Sequence, residues 1–590
     1  MIFNNLKARI RDYLVILVVM LGISVVFLNS FYWIYEGIGK RKLLVWAIAF
    51  FLIGIVPLIS VGINCFYKVI EKITCLLKKI LVCIWDNKKK LALFFIITFA
   101  GIVLSTVLTG IVSKFIFHTA FNRRLLYTLI TFLMMCLSVA FLWKSIAQKP
   151  EAFFFVLALV MGIFSISVTP SRVGVSLDDE VHYAHVLEIA DALNGIRYEA
   201  DTKNIREYAD NIYAHAGFDR ESDCAYTEEL QKIYAEKTLG VYEFKYYNLV
   251  ILSYVPSAIG VLLGRGLNLP YSAVFDMGRV FNLLLYVTLI SLAIKKVKYG
   301  KVLVAAIGLI PTTIFMAANY SYDPWVTGFT ILGLAYFFSE LQTDTLIQTR
   351  NLLISIAMIA IGCIPKAIYF PILLPLMFIP KQKFKSERQR KGIYLAIIVT
   401  GVFLVSTFML PMLLNGPGTG DLRGGSEVNS VEQIKFMLQN PFTYIKIMLK
   451  FDMDYIALGN AAPMLQKLGY AGDGDFYSVV SIVLTALAFT DRDANEKNHI
   501  WIRIAGLIGC AAIIMLATTA LYIGFTAAAS NTVAGVQGRY MIPTIFPALY
   551  LIGVGGGKHK VNEKAFVCVP MLIIAFTFIY NMFQFCVLSY

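Results

Sequence analysis

The stretch FFFVLALVMGIFSISV (153–168) runs through a short TPSRVGV link into SLDDEVHYAHVLEIADALNG (176–195). The first part is uncharged and close to the length a bilayer core requires, roughly 20 residues, or fewer where neighbours shelter the ends. The second part sets Asp178, Asp179, Glu180, His182 and His185 directly beyond it. An apolar helix followed by a polar turn decides the fold, because the same alternation recurs along the chain.

Composition agrees. Of 590 residues, 58% are hydrophobic, 14% aromatic and only 15% charged, with a mean hydropathy of +0.71. That leaves too little polar surface to enclose a water-soluble globule of this size, so the reading is an all-α polytopic membrane protein. The net charge of +15 comes from lysines clustered in short loops between apolar runs, which mark topology rather than nucleic-acid binding. The start, MIFNNLKARIRDYLVILVVMLGISVVFLNSFYW (1–33), has a basic flank and a long apolar core without a small-residue cleavage site, and reads as a retained signal anchor. The nine cysteines form no CxxC pair and point to neither a disulfide framework nor a zinc site.

Spans are expected near 12–30, 43–66, 92–117, 124–146 and 152–169, and about 15 in all. The lysine-rich segment 67–90 belongs in the cytoplasm with the loops at 295–301, 380–392 and 555–564, which places the N-terminus inside and residue 176 outside. NYSYD (319–323), Pro365–Lys366, the loop 415–474 and GVQGRY (535–540) then share that outer face. One conflict remains: 246–264 and 280–294 both look able to cross, yet parity allows only one, so the other is re-entrant or lies along the membrane. Two outer loops with short helices are expected, at 176–243, which holds 16 of the 37 acidic residues, and at 415–474. No internal repeat is visible.

From 178 onward, Tyr183, Val186, Leu187, Ala190 and Leu193 recur at helical spacing, with Asn194–Gly195 as a stop. Capping explains part of the acidity: Ser176 with Asp179 fits a capping box, and Asp178 and Glu180 suit the positive end of the helix dipole. One cap needs fewer acids than this turn has, however, and His182 follows on the same face. A carboxylate held there by an imidazole can serve as a general base on a sugar hydroxyl or hold a divalent cation such as Mg or Mn. The spacing of His182 and His185 alone is weak evidence for a metal site.

Cations are available elsewhere. Lys366, between apolar runs, either snorkels or serves a lipid-linked phosphate. Arg539, flanked by Gln537, Gly538 and Tyr540, suits phosphate oxygens through its forked donors. Asp323, after Tyr322 and before Pro324, is explained equally well as a helix cap. Arg279 is either the partner of Asp276 or a cytoplasmic-side anchor.

DDEVH (178–182), NYSYD (319–323), PKAIYFP (365–371) and GVQGRYMIP (535–543) together resemble the family catalogued as domain of unknown function 2142, over about residues 150–585. That family is similar to the GT-C glycosyltransferases. The resemblance implies a GT-C-like helical bundle at 151–590, preceded by accessory helices at 1–150. It also implies an inverting membrane glycosyltransferase that moves a sugar from a polyprenyl-phosphate donor to an envelope glycan or glycolipid at the outer face of the cytoplasmic membrane. By the same resemblance Asp178 and Asp179 match the family's acidic pair and His182 its histidine. Glu180, Tyr322, Asp323, Lys366, Gln537, Arg539 and Tyr540 would line the substrate site. The turn Ser176–Leu177–Asp178–Asp179 departs from the family's Pro-Pro-Asp-Glu, which leaves open which carboxylate is the base. The alternatives are a flippase or transporter of lipid-linked glycans, for which a midplane charged cavity and a repeat would speak, and an oligosaccharide polymerase or ligase.

Overall fold

The computed structural model describes residues 88–210, 220–236, 239–241, 249–415, 424–456, 462–493, 499–553 and 562–588. The signal anchor and the expected spans at 12–30 and 43–66 lie outside the described residues. Contacts divide the chain into two compact units, 1–100 with 410–416, and 101–409 with 417–590. Every candidate site residue belongs to the second.

The protein is an all-α polytopic membrane protein. In lipid each backbone N–H and C=O has to be satisfied within its own segment, and helices do this. Helices α1 (Lys88–Phe115), α2 (Arg123–Leu142) and α3 (Pro150–Val168) match the spans expected at 92–117, 124–146 and 152–169. Leu125 and Met135 of α2 share one apolar core with Phe153, Leu157 and Met161 of α3.

The expected folded loop follows as α4 (Asp179–Asn194), β1 (Ile196–Tyr198), α5 (Glu199–Asp210), α6 (Arg220–Ala235) and β2 (Leu239–Val241). The strands pair antiparallel, Arg197 opposite Gly240, an element the helical periodicity did not announce. Gly195, at φ 67°, ends α4 as expected. Tyr183, Val186, Leu187 and Ala190 are buried, whereas Leu193, expected on the same face, is exposed. The contact near that end of the helix is ionic instead: Arg265 donates to Asp191 at 2.9 Å and to Asp201 at 2.7 Å while lying over the Tyr198 ring.

The segment that carries this arginine packs on α4. A 3-10 turn (Leu249–Tyr254) leads into α7 (Val255–Gly266), followed by the long α8 (Tyr271–Lys296). Tyr254 touches His182 and Arg265 reaches Asp191, so the segment packs on α4, and both Leu249–Gly266 and Tyr271–Lys296 are long and apolar enough to cross a membrane. Gly260 permits the tight hairpin, since a β-carbon there would stand 2.3 Å from the Met277 carbonyl oxygen.

The remaining helices are α9 (Lys301–Gly308), α10 (Pro311–Ala317), α11 (Asp323–Leu341), α12 (Thr349–Cys363), α13 (Glu387–Asn415), α14 (Ser430–Gln439), α15 (Pro441–Ile456), α16 (Ala462–Leu465), α17 (Tyr477–Thr490), α18 (Ile500–Gly524), α19 (Ile542–Ile552) and α20 (Glu563–Phe583). Between α12 and α13 the run Ala367–Phe378 is a 3-10 helix, because Pro371 and Pro375 cannot donate α-helical bonds. Against the expected 15 or so crossings, eight helices among the described residues are long and apolar enough to span a membrane, and three apolar helices are shorter.

The bundle has two distinct polar ends. At one, the Lys298 amide donates to Gln342, the Ile347 amide to the Lys383 carbonyl, and the Val302 and Leu303 amides to Asp491, so the basic loops at 295–301 and 380–392 come together. α8 and α11 both start at the other end, where the candidate residues gather, and run to this one.

Candidate functional site

The floor of the site is a buried arginine. Arg279 donates Nε to the Ala318 carbonyl at 3.0 Å, Nη1 to Asp276 at 3.0 Å and to the Pro170 carbonyl at 3.3 Å, and Nη2 to Asn319 at 2.9 Å and to Thr169 Oγ1. Of the two roles left open for Arg279, the partner of Asp276 is the one observed. The clamp ties the end of α3, the first turns of α8 and the NYSYD turn together. Asn282 adds bonds to the Asn319 and Ser321 carbonyls at 2.8 and 3.2 Å, and the Tyr320 hydroxyl donates to the Phe275 carbonyl at 2.7 Å. Three of the five NYSYD residues therefore build the turn, and Tyr322 and Asp323 are the two left facing the cluster.

The acidic turn rests on this floor, and its neighbouring aspartates divide the work. Asp179 is buried and turned back into its own loop, accepting amide hydrogen bonds from Gly174 at 2.8 Å, Val175 at 3.0 Å and Ser176 at 2.9 Å. This is half of the expected capping box; the Ser176 hydroxyl contacts Met316 sulfur instead of closing the other half. Burial pushes Asp179 up to about 6 despite the three amides and Arg279, which pull it down. Asp178 caps α4 in the left-handed conformation, φ 58°, without a side-chain cap bond. Aspartate tolerates that conformation better than most residues, and single strained positions of this kind recur at functional sites. The conformation directs the Asp178 side chain away from the helix, where 28% of it stays exposed.

Asp178 meets Arg539, 361 residues away in the chain, through a direct ion pair. Arg539 also pairs with Asp323 at 3.2 Å and donates to the Leu177 carbonyl at 3.2 Å. Lys366 stands 3.9 Å from Asp323, with its ammonium 3.6 Å from the centre of the Tyr540 ring and 5.2 Å from that of Tyr322. Such cation–π contacts are worth about 2 kcal/mol when desolvated. Burial pulls Lys366 down to about 8 against the opposing pull of Asp323. The 3-10 turn Gly538–Met541 sets Arg539, and Tyr369 holds it from below by donating to the Tyr540 carbonyl at 2.9 Å.

Asp178, Asp323, Tyr322, Lys366, Arg539 and Tyr540 thus form one cluster, and the sequence-selected residues outside it have other surroundings. His182 stands at its edge: Nδ1 lies 2.9 Å from the Tyr254 hydroxyl, and the ring meets Tyr322 edge-on. Burial, helped by Arg539, lowers His182 to about 3, so the imidazole is neutral at physiological pH. Glu180 is buried in the first turn of α4. Gln537 is half-buried, with Oε1 shielded and without a hydrogen-bond partner. His185 stacks on Tyr254 and pairs with Glu188 at 3.0 Å. Among the described residues no group of three His, Cys, Asp or Glu side chains is placed to hold a metal ion.

Sequence reasoning missed Tyr254 and Tyr369. Both sit inside apolar runs where an aromatic residue reads as core, so only their hydroxyl partners reveal the role. Arg265 carried a legible signal, a lone arginine closing an apolar segment, but its two acids lie 64 and 74 residues away.

Compared with known proteins, the chain matches a family model described as predicted membrane protein (DUF2142) over residues 159–547. No curated protein matches it. No solved structure matches either.

Proposed function

The chain belongs to the DUF2142 family of predicted membrane proteins, and on that premise we propose that it is a GT-C-like, inverting membrane glycosyltransferase. It would take a sugar from a polyprenyl-phosphate donor and place it on an envelope glycan or glycolipid at the outer face of the cytoplasmic membrane. One observation carries this reading: Asp178, partly exposed, shares a single cluster with the two cations Arg539 and Lys366 at the end of a membrane bundle. Asp178 accepts the proton of an acceptor hydroxyl, whose oxygen attacks the anomeric carbon. The bond from that carbon to the phosphate oxygen breaks, and its electron pair stays on the phosphate, next to Arg539 and Lys366. Asp179 holds the loop, neutral His182 with Tyr254 packs the wall, and Asp323 sets the spacing of the cations.

The test is transfer by purified protein in nanodiscs, with a panel of radiolabelled polyprenyl-phosphate sugars and extracted envelope glycan. Label should reach the glycan. Label that stays on every donor yet crosses a sealed liposome would replace this reading with transport.

The donor contact also has a pH signature. Lys366, held at about 8, is charged below that pH and neutral above it. Donor KM should therefore rise as pH climbs through about 8, by roughly tenfold for the loss of one charge-assisted contact. Lys366→Arg, charged throughout, should remove the rise. A KM independent of pH between 7 and 9 in the wild type would take Lys366 away from the phosphate.

A further inference from the structure

Both terminal nitrogens of Arg539 face carboxylates, and one of them also donates to the Leu177 carbonyl. One terminal nitrogen pairs with Asp178 and the other lies 3.2 Å from Asp323, on a side chain only 4% exposed. Its Nε is buried and has no hydrogen-bond partner. A phosphate gripping this guanidinium through two oxygens needs an edge that a carboxylate now occupies, since carboxylates and phosphates take the same fork. The proposed base is likewise engaged, because a lone pair of Asp178 is held by the cation.

We propose that the Asp178–Arg539 pair is a latch in which Asp178 stands in for the phosphate, so that arrival of a phosphate on Arg539 is what frees Asp178 to accept a proton. This rests on reading the cluster as a phosphate site. A sugar phosphodiester carries one negative charge, and the phosphate monoester left after bond breaking carries a second. The exchange therefore advances as the leaving group forms: the acceptor O–H proton passes to Asp178, the new bond joins acceptor oxygen to anomeric carbon, and the electron pair of the broken bond ends on the phosphate held by Arg539. Asp323 and Lys366 keep the arginine in place while its partner changes. The latch also couples the two substrates, since without a phosphate in place the acceptor meets an occupied base.

Equilibrium binding of radiolabelled farnesyl phosphate to the full chain in nanodiscs tests the latch, with its methyl diester as the singly charged comparison. Removing the competing carboxylate in Asp178→Asn should tighten monoester binding about tenfold, and the diester less. Asp178→Glu should return wild-type affinity, and Arg539→Lys added to Asp178→Asn should cancel the gain. Asp178→Ser carries the same expectation and guards against an effect peculiar to asparagine. Unchanged or weaker monoester binding in both neutral variants, at wild-type melting temperature, overturns the latch. Tighter binding in a protein that moves no sugar keeps the latch and removes only the transferase reading.

Discussion

Asp178→Asn should lower sugar transfer by about a thousandfold, within the range general-base catalysis supplies, while leaving the thermal unfolding temperature close to that of the wild type. Asparagine accepts the left-handed backbone that Asp178 adopts and keeps an oxygen toward Arg539, so little of the fold depends on the charge. The same change one residue on should behave oppositely. Asp179 spends both oxygens on three amide donors; in Asp179→Asn one oxygen becomes an NH2 facing an N–H, and at least one buried donor is orphaned. Each such loss costs about 1–3 kcal/mol. Asp179→Asn should therefore lower the unfolding temperature and the amount of folded protein, with activity falling in proportion. Measuring turnover per folded molecule separates the two. If Asp178→Asn turns over at the wild-type rate, Asp178 is not the base; if Asp179→Asn is folded, stable and dead, the roles assigned to the neighbours are reversed.

Arg279→Leu should prevent recovery of folded protein from membranes. Five groups from three segments converge on this guanidinium, and leucine would leave the Asp276 carboxylate without its arginine and the Ala318 and Pro170 carbonyls without its donors. Breaking a buried ion pair by removing one partner costs about 3–5 kcal/mol, a large share of the 5–15 kcal/mol by which a typical domain is stable. Arg279→Lys should recover only part of the loss, because a single ammonium cannot reach donors aimed in a fork. The check is the fraction of monodisperse protein after detergent extraction and its melting temperature. An Arg279→Leu protein that melts with the wild type would mean the NYSYD turn is held by other contacts, Asn282 and Tyr320 foremost.

Much of the architecture was legible in the sequence because it depends on local composition. Apolar runs of bilayer length become helices wherever water is absent, so α1, α2 and α3 lie where hydropathy puts them. The stop at Gly195 follows from its ability to take positive φ, and the lysine loops at 295–301 and 380–392 converge as their shared charge suggested. The motifs DDEVH, NYSYD, PK and QGRY also proved to meet at one end, since an even number of traversals returns the chain to the same end whatever the packing.

What neighbouring residues do is another matter. Asp178 and Asp179 have identical chemistry and adjoining positions, so no local rule distinguishes a site carboxylate from one that ties a loop. That choice belongs to a backbone turn of φ 58° and to Arg539, 361 residues further on. The segment 249–266 reads by hydropathy as a span, and its packing on α4, where Arg265 finds two acids, is not written in that hydropathy. Sequence by itself determined which segments are helices and at which end of the bundle they turn, because burial of apolar side chains and satisfaction of backbone groups act locally. Only the tertiary structure decided which charges face one another, because the energy of an ion pair depends on a distance and a dielectric that exist only once remote segments have packed.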